Sequence, residues 1–150
     1  MNNHSGFTLI ELLIVMAVAA VLLGLGVPSL RSTIQTNRIA TVSNDLISAL
    51  QFAKSESIRR GEDVTVCSTT DAACVGGWAG GWLVRNAAGT IRVWPPARQG
   101  VTIAVGGPVV FNALGSASAG RCFQVNLDTL QRSVTVGAGG RIGSAVAACP

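Results

Sequence analysis

Histidine and tyrosine are almost missing from this chain: its 150 residues contain one histidine, His4, and no tyrosine. A Ser-His-Asp or Cys-His arrangement would have to be built on His4, and no phenol is present to act as a general acid. Carboxylates are few as well. Seven acids face eleven Lys and Arg, and charged residues make up 12% of the chain, about half the ~25% of an ordinary soluble domain. The adjacent acids Glu62-Asp63 read as a solvated turn after a long helix. The run Gly76-Gly77-Trp78-Ala79-Gly80-Gly81 lacks the Gly-Lys-Ser/Thr ending and the following helix of a phosphate-cradling loop, and reads as a surface loop carrying one tryptophan. These shortages predict a protein that is not an enzyme, with no catalytic residue, no metal and no cofactor.

What the sequence has instead is a long apolar run. From Phe7 to Val27 it spans 21 residues, close to the ~20 that a helix needs to cross a ~30 Å hydrocarbon core. One acid, Glu11, interrupts it. An ionisable group inside a spanning helix costs roughly 2.5–3.5 kcal/mol on insertion scales, so it marks function rather than anchorage. A secretory signal wants a cationic start and a small-residue cleavage site after its apolar core. Met1 to Gly6 contain neither Lys nor Arg, and Gly24-Leu25-Gly26-Val27-Pro28 offers no Ala-x-Ala pattern.

The segment Gly6-Phe7-Thr8-Leu9-Ile10-Glu11-Leu12-Leu13 resembles the class III signal of type IV pilins and pseudopilins. The resemblance implies that prepilin peptidase cuts between Gly6 and Phe7 and methylates the new amino terminus. It also implies that Glu11, then at the fifth position, pairs with the amino-terminal charge of a neighbouring subunit during filament assembly. Residues 1–6 would be the leader, and His4 would leave with it. Residues 7–27 would be a transmembrane and assembly helix in the bacterial inner membrane, single-pass, with the head in the periplasm until the subunit enters a pilus or pseudopilus.

Pro28 sits inside a pattern that stays helical beyond it, which predicts a kink from one lost i to i−4 hydrogen bond. Over residues 28–61, Leu30, Ile34, Val42, Leu46, Leu50 and Ala53 recur at helical spacing and predict an amphipathic helix. Arg59-Arg60-Gly61 reads as its stop. After Gly61 the pattern changes to short β-rich runs bounded by turn residues, at 64–67, 81–85, 90–94, 101–105, 109–111, 122–125 and 133–136. Asn86-Ala87-Ala88-Gly89 reads as a hairpin loop. The predicted fold is α+β: a long amino-terminal helix packed on a small antiparallel β-sheet head over residues 62–150.

Four cysteines, Cys67, Cys74, Cys122 and Cys149, lie in that head, and an even count beyond a membrane anchor argues for disulfides in an oxidising space. Four cysteines admit three pairings. Cys67 with Cys74 closes a short loop, and Cys122 with Cys149 ties the carboxyl end to a strand; this pairing is the favoured one. Zinc would want closer thiolates and usually histidine.

All eleven cations lie between Pro28 and Pro150, against six acids, for a formal charge of +5; ten of them are arginine. Such a field attracts nucleic acid, anionic lipid or an acidic partner without choosing among them. The helix end Gln51-Phe52-Ala53-Lys54-Ser55-Glu56 and the tail Val134-Thr135-Val136 with Gly139-Gly140-Arg141 narrow the resemblance to the GspH/FimT family of minor pilins and pseudopilins. That resemblance implies a low-abundance subunit of a type IV pilus that takes part in filament initiation at the tip, with major and minor pilins or pseudopilins as partners. The H-type minor pseudopilin of type II secretion is the first alternative. A pilus-tip DNA receptor for natural transformation is the second, because some members carry a Gly-Arg-x-Arg tail. Here the first arginine is Arg141 and the second position is Gly143, so Arg132, Arg121 and Arg98 are the candidates to supply the missing charge, with Trp78 as a candidate stacking platform.

Overall fold

A computed structural model describes residues 8–69, 74, 77–104 and 106–150, and the side chains of these residues except 25–29. The chain divides into two compact units, Met1–Gln35 and Thr36–Pro150. Helix α1 runs from Leu9 to Arg60. Its start is set by Thr8, whose Oγ1 accepts a hydrogen bond from the Glu11 amide at 3.3 Å. That is the Ser/Thr-x-x-Glu pattern of a capping box, with the acid placed where the helix dipole favours negative charge. At the other end Gly61 takes φ +67° and donates to the Ser57 carbonyl at 2.9 Å, a left-handed cap that a residue with a side chain would resist.

In the first unit the side chains of α1 from Leu9 to Leu23 are exposed, with Leu22 at 64%. Among the described residues no helix is long and apolar enough to cross a membrane; the described side chains of the apolar run stop at Gly24, short of the ~20 that a span needs. Pro28 lies within α1, and the kink expected there falls among side chains outside the described set. Leu30 and Ile34, read from periodicity as part of the packing stripe, are 64% and 50% exposed.

In the second unit the stripe begins at Ile39 and continues through Val42, Leu46, Ala49, Leu50 and Ala53, all buried in one core with the strands. Eight strands follow: β1 (Val64–Ser68), β2 (Trp82–Asn86), β3 (Gly89–Trp94), β4 (Thr102–Ala104), β5 (Val109–Phe111), β6 (Arg121–Leu127), β7 (Leu130–Val136) and β8 (Ile142–Ala145). They form the antiparallel β head that the sequence predicts, divided into two four-stranded sheets in the orders β3-β2-β1-β5 and β4-β6-β7-β8. Inward positions alternate along the strands as the two-residue period requires: Val64 and Val66 on β1, Trp82 and Val84 on β2, Phe123 and Val125 on β6, Val134 and Val136 on β7.

The turns carry their own chemistry. The Asn86 Oδ1 accepts from the amides of Ala88 and Gly89, both at 3.1 Å, an Asx arrangement that closes the β2–β3 hairpin. Its Nδ2 donates to Glu62 at 2.7 Å, so Glu62 braces this hairpin and is more than a solvated turn residue. Trp78 also departs from expectation. It opens a 3₁₀ turn, Trp78–Gly80, is 4% exposed and meets the Phe123 ring edge-on at 4.6 Å. It is a core residue, closed to a stacking base.

Candidate anion-binding groove and the amino-terminal segment

Strand β8 is the element that periodicity missed. Ile142-Gly143-Ser144-Ala145 has little β character of its own, and it is held as a strand by antiparallel pairing with β7, from Val136↔Ile142 to Ser133↔Ala145. The turn before it carries Arg141. Cys122, Thr135 and Gly143 are register neighbours across β6, β7 and β8, and they line a groove of about 630 Å³ together with Gly120, Arg121, Gly137, Arg141, Ser144 and Pro150. Two of the four candidate arginines, Arg121 and Arg141, therefore reach one surface depression. No acidic side chain lines it among the described residues, so the two guanidinium groups give it a basic character.

The other two candidates lie apart. Arg132 is on β7 opposite Val125 and takes no part in the groove lining, and Arg98 lines a separate pocket of about 210 Å³ with Asp45, Trp82 and Pro95. Arg92, not singled out from sequence, stacks over the rings of Trp94 at 4.7 Å and Phe52 at 5.4 Å, a cation–π arrangement that commits its guanidinium to the surface of the core. Arg59 and Arg60 are committed too, since both donate to Glu56, at 2.6 and 2.7 Å.

The groove has an open position and a fixed wall. A Cβ at Gly143 would lie 3.5 Å from the Thr135 hydroxyl, an ordinary contact. The wall is the tail. Cys122 is bonded to Cys149, with Cα atoms 5.9 Å apart, and the Cys149 amide donates to the Gln124 side chain at 2.6 Å. Cys67 is bonded to Cys74, with Cα atoms 4.9 Å apart. No cysteine is left free, and no cluster of three or more His, Cys, Asp or Glu side chains gathers among the described residues.

At the amino terminus, Gly6 and Phe7 lie outside the described residues. Glu11 is the third residue of α1, just inside the Thr8 cap. The sequence reading assigned Glu11 a role in assembly but missed the cap, although Thr8-Leu9-Ile10-Glu11 is legible as a capping box once the helix start is fixed.

Comparison with known proteins places this arrangement. No curated protein matches the chain significantly in sequence. Residues 1–27 match the prokaryotic N-terminal methylation motif, which implies processing by a prepilin peptidase. The type IV minor pilin FimU of Pseudomonas aeruginosa strain PAO1 has a similar fold, with a TM-score of 0.62 at 20% identity over 72% of this chain and 88% of that one. The minor pseudopilin EpsH from the Type 2 Secretion System of Vibrio cholerae is similar over 73% of this chain and 97% of that one, with a TM-score of 0.56 at 13% identity. Both likenesses are likenesses of fold. Residues 42–140, well over half of the chain, match the family of Type II transport protein GspH, and the protein therefore belongs to that family of minor pilins and pseudopilins, structural subunits rather than enzymes.

Proposed function

We propose that this chain is a minor pilin of a type IV pilus, taking part in filament initiation at the tip. The observation that carries the reading is an amino-terminal methylation motif whose acid, Glu11, sits in the first turn of α1 on a GspH-family head. Prepilin peptidase removes residues 1–6; residues 7–27 hold the subunit in the inner membrane before assembly and enter the filament with other major and minor pilins. The basic head and the Cys149 tail favour a pilus over the type II secretion machine. Glu11→Ala is expected to be cleaved after Gly6 and inserted but left out of filaments, because a carboxylate that neutralises a neighbour's amino terminus is costly to lose in an apolar setting. Gly6→Leu should keep its leader. Mass spectrometry of the membrane protein reads both; a terminus other than methylated Phe7 in the native chain defeats the proposal. Recovery of the subunit with secretion pseudopilins instead of sheared pili would move it to the other machine.

The convergence of Arg121 and Arg141 favours a second reading, in which the tip subunit captures DNA. Two cations in a groove without acidic side chains give phosphate contacts that carry no base readout, so binding should be insensitive to sequence and fall steeply with salt. For the full-length protein in a non-ionic detergent, Arg141→Ala or Arg121→Ala should each lower the slope of log affinity against log salt by ~0.9 on duplex DNA. Gly143→Arg, which adds a third cation at a groove position where a Cβ makes only an ordinary contact, should raise affinity, whereas Arg132→Ala, outside the groove, should matter little. No mobility shift at ~50 mM salt, where such contacts are strongest, removes this reading and leaves the first standing.

A further inference from the structure

The turn that delivers Arg141 to the groove is held from outside itself. Within the turn, the Gly140 amide donates to the Gly137 carbonyl at 2.8 Å and the Gly137 amide to the Arg141 carbonyl at 2.9 Å. The third hold comes from the helix: Lys54, on α1, donates from Nζ to the Gly140 carbonyl at 2.9 Å. That carbonyl belongs to the peptide group joining Gly140 to Arg141, so the ammonium grips the bond from which Arg141 departs. Lys54 is the chain's single lysine, and neither salt bridge among the described residues involves it.

The neighbourhood leaves the turn little freedom. Gly140 has φ +72°, and a Cβ there would run into the Gly115 carbonyl. Gly115 in turn has no room for a side chain, since a Cβ would lie 2.7 Å from the Ile58 Cδ1 and 3.1 Å from the Lys54 Cε. The Asn112–Ser116 loop that carries Gly115 is itself closed by the Asn112 side chain, which accepts from Leu114 and Ser116 at 3.0 Å each. It is tied to the β7–β8 turn through the Ala117 amide and the Ala138 carbonyl at 3.0 Å. Two glycine backbones thus lie against each other under the Lys54 stem, and the lysine head closes the stack.

We infer that Lys54 is a positioning residue for Arg141: it fixes the Gly139-Gly140-Arg141 turn against α1 and so sets the direction from which the guanidinium enters the groove, without touching the bound anion. The inference rests on reading the groove as a phosphate-binding surface. A charged donor on a carbonyl is among the stronger hydrogen bonds available. Spent on the residue before Arg141, it pre-organises a side chain that otherwise leaves a flexible double-glycine turn.

The test compares full-length native protein with Lys54→Met, Lys54→Arg and Arg141→Ala, all in non-ionic detergent, by amide hydrogen exchange and by binding to a duplex DNA fragment across a salt series. Lys54→Met keeps the stem but not the donor. It should keep native far-UV circular dichroism, speed exchange of the Gly137 and Gly140 amides about tenfold, and weaken DNA binding toward the level of Arg141→Ala. Its salt slope should stay native, while that of Arg141→Ala falls by ~0.9. Lys54→Arg, still able to donate to the carbonyl, should restore both slow exchange and affinity. Unchanged exchange in Lys54→Met overturns the inference, and so does a slope lowered by ~0.9, because Lys54 is then a phosphate contact. If the native protein binds no DNA, the receptor reading fails by itself. Exchange in the turn and the Arg141 side-chain Nε–H resonance then decide the positioning role: both should change in Lys54→Met, and no change in either overturns it.

Discussion

Trp78 and Arg141 lie in glycine-rich stretches, and burial gives them opposite roles. Trp78 is 4% exposed and packed edge-on against Phe123, so its worth is in the core. Trp78→Ala should destabilise the folded protein by ~3–5 kcal/mol, the usual cost of emptying a large aromatic site, read as a lower denaturation midpoint with an unchanged slope. Any DNA affinity, measured on the fraction that remains folded, should not change. A stable Trp78→Ala protein that has lost DNA binding would contradict the packing argument. Sequence alone places Trp78 in a surface loop, because a tryptophan between paired glycines reads as a loop residue until a partner such as Phe123 is known. Arg141 stayed legible as a surface cation because it follows a glycine turn, but its neighbour in the groove, Arg121, lies 20 residues earlier in the chain and is brought there by strand register.

At the scale of elements, the last turn of α1 is the most electrostatically organised part of the helix. Glu56 is 8% exposed and accepts from Arg59 and Arg60. Those hydrogen bonds, Arg59 first and then Arg60, hold its carboxyl below the ordinary value, and the same contact raises the Arg59 guanidinium. The sign follows from linkage: a depressed carboxyl contributes stability that is present above its unfolded pKa and is lost as pH falls through the lower folded value. Thermal melting from neutral pH down through the carboxylate range should therefore show an acid limb that Glu56→Gln flattens. An identical acid limb in Glu56→Gln would assign the loss to other carboxylates. The stop at Arg59-Arg60-Gly61 was readable from composition. Recruitment of both arginines by one acid was suggested only by the i, i+3 and i, i+4 spacing.

For the whole molecule, one helix serves two environments. Leu46 is fully buried in the head core, so Leu46→Ala should cost ~2–5 kcal/mol of head stability. Leu22, 64% exposed in the amino-terminal unit, has no such core to lose. Leu22→Ala should leave the head's melting transition in place and act, if at all, on filament entry, scored by its recovery in sheared pili against the native subunit. Equal melting shifts for the two variants would mean that the apolar run contributes to the folded head.

By itself the sequence determined what local chemistry can determine. A 3.6-residue stripe declares a helix, and short β-branched runs between glycines declare strands. It could not determine the relations that depend on distant residues meeting. The division of the head into two sheets, the strand character of Ile142–Ala145, the burial of Trp78, the exposure of Leu30 and Ile34, the separation of Arg98 and Arg132 from Arg121 and Arg141, and the grip of Lys54 on Gly140 were decided by tertiary structure. The physical reason is that periodicity reports which face of an element is apolar. Which surface covers that face, and which side chains from remote strands share a depression, is set by strand register and packing, where contacts far apart in sequence outweigh the preferences of any single segment.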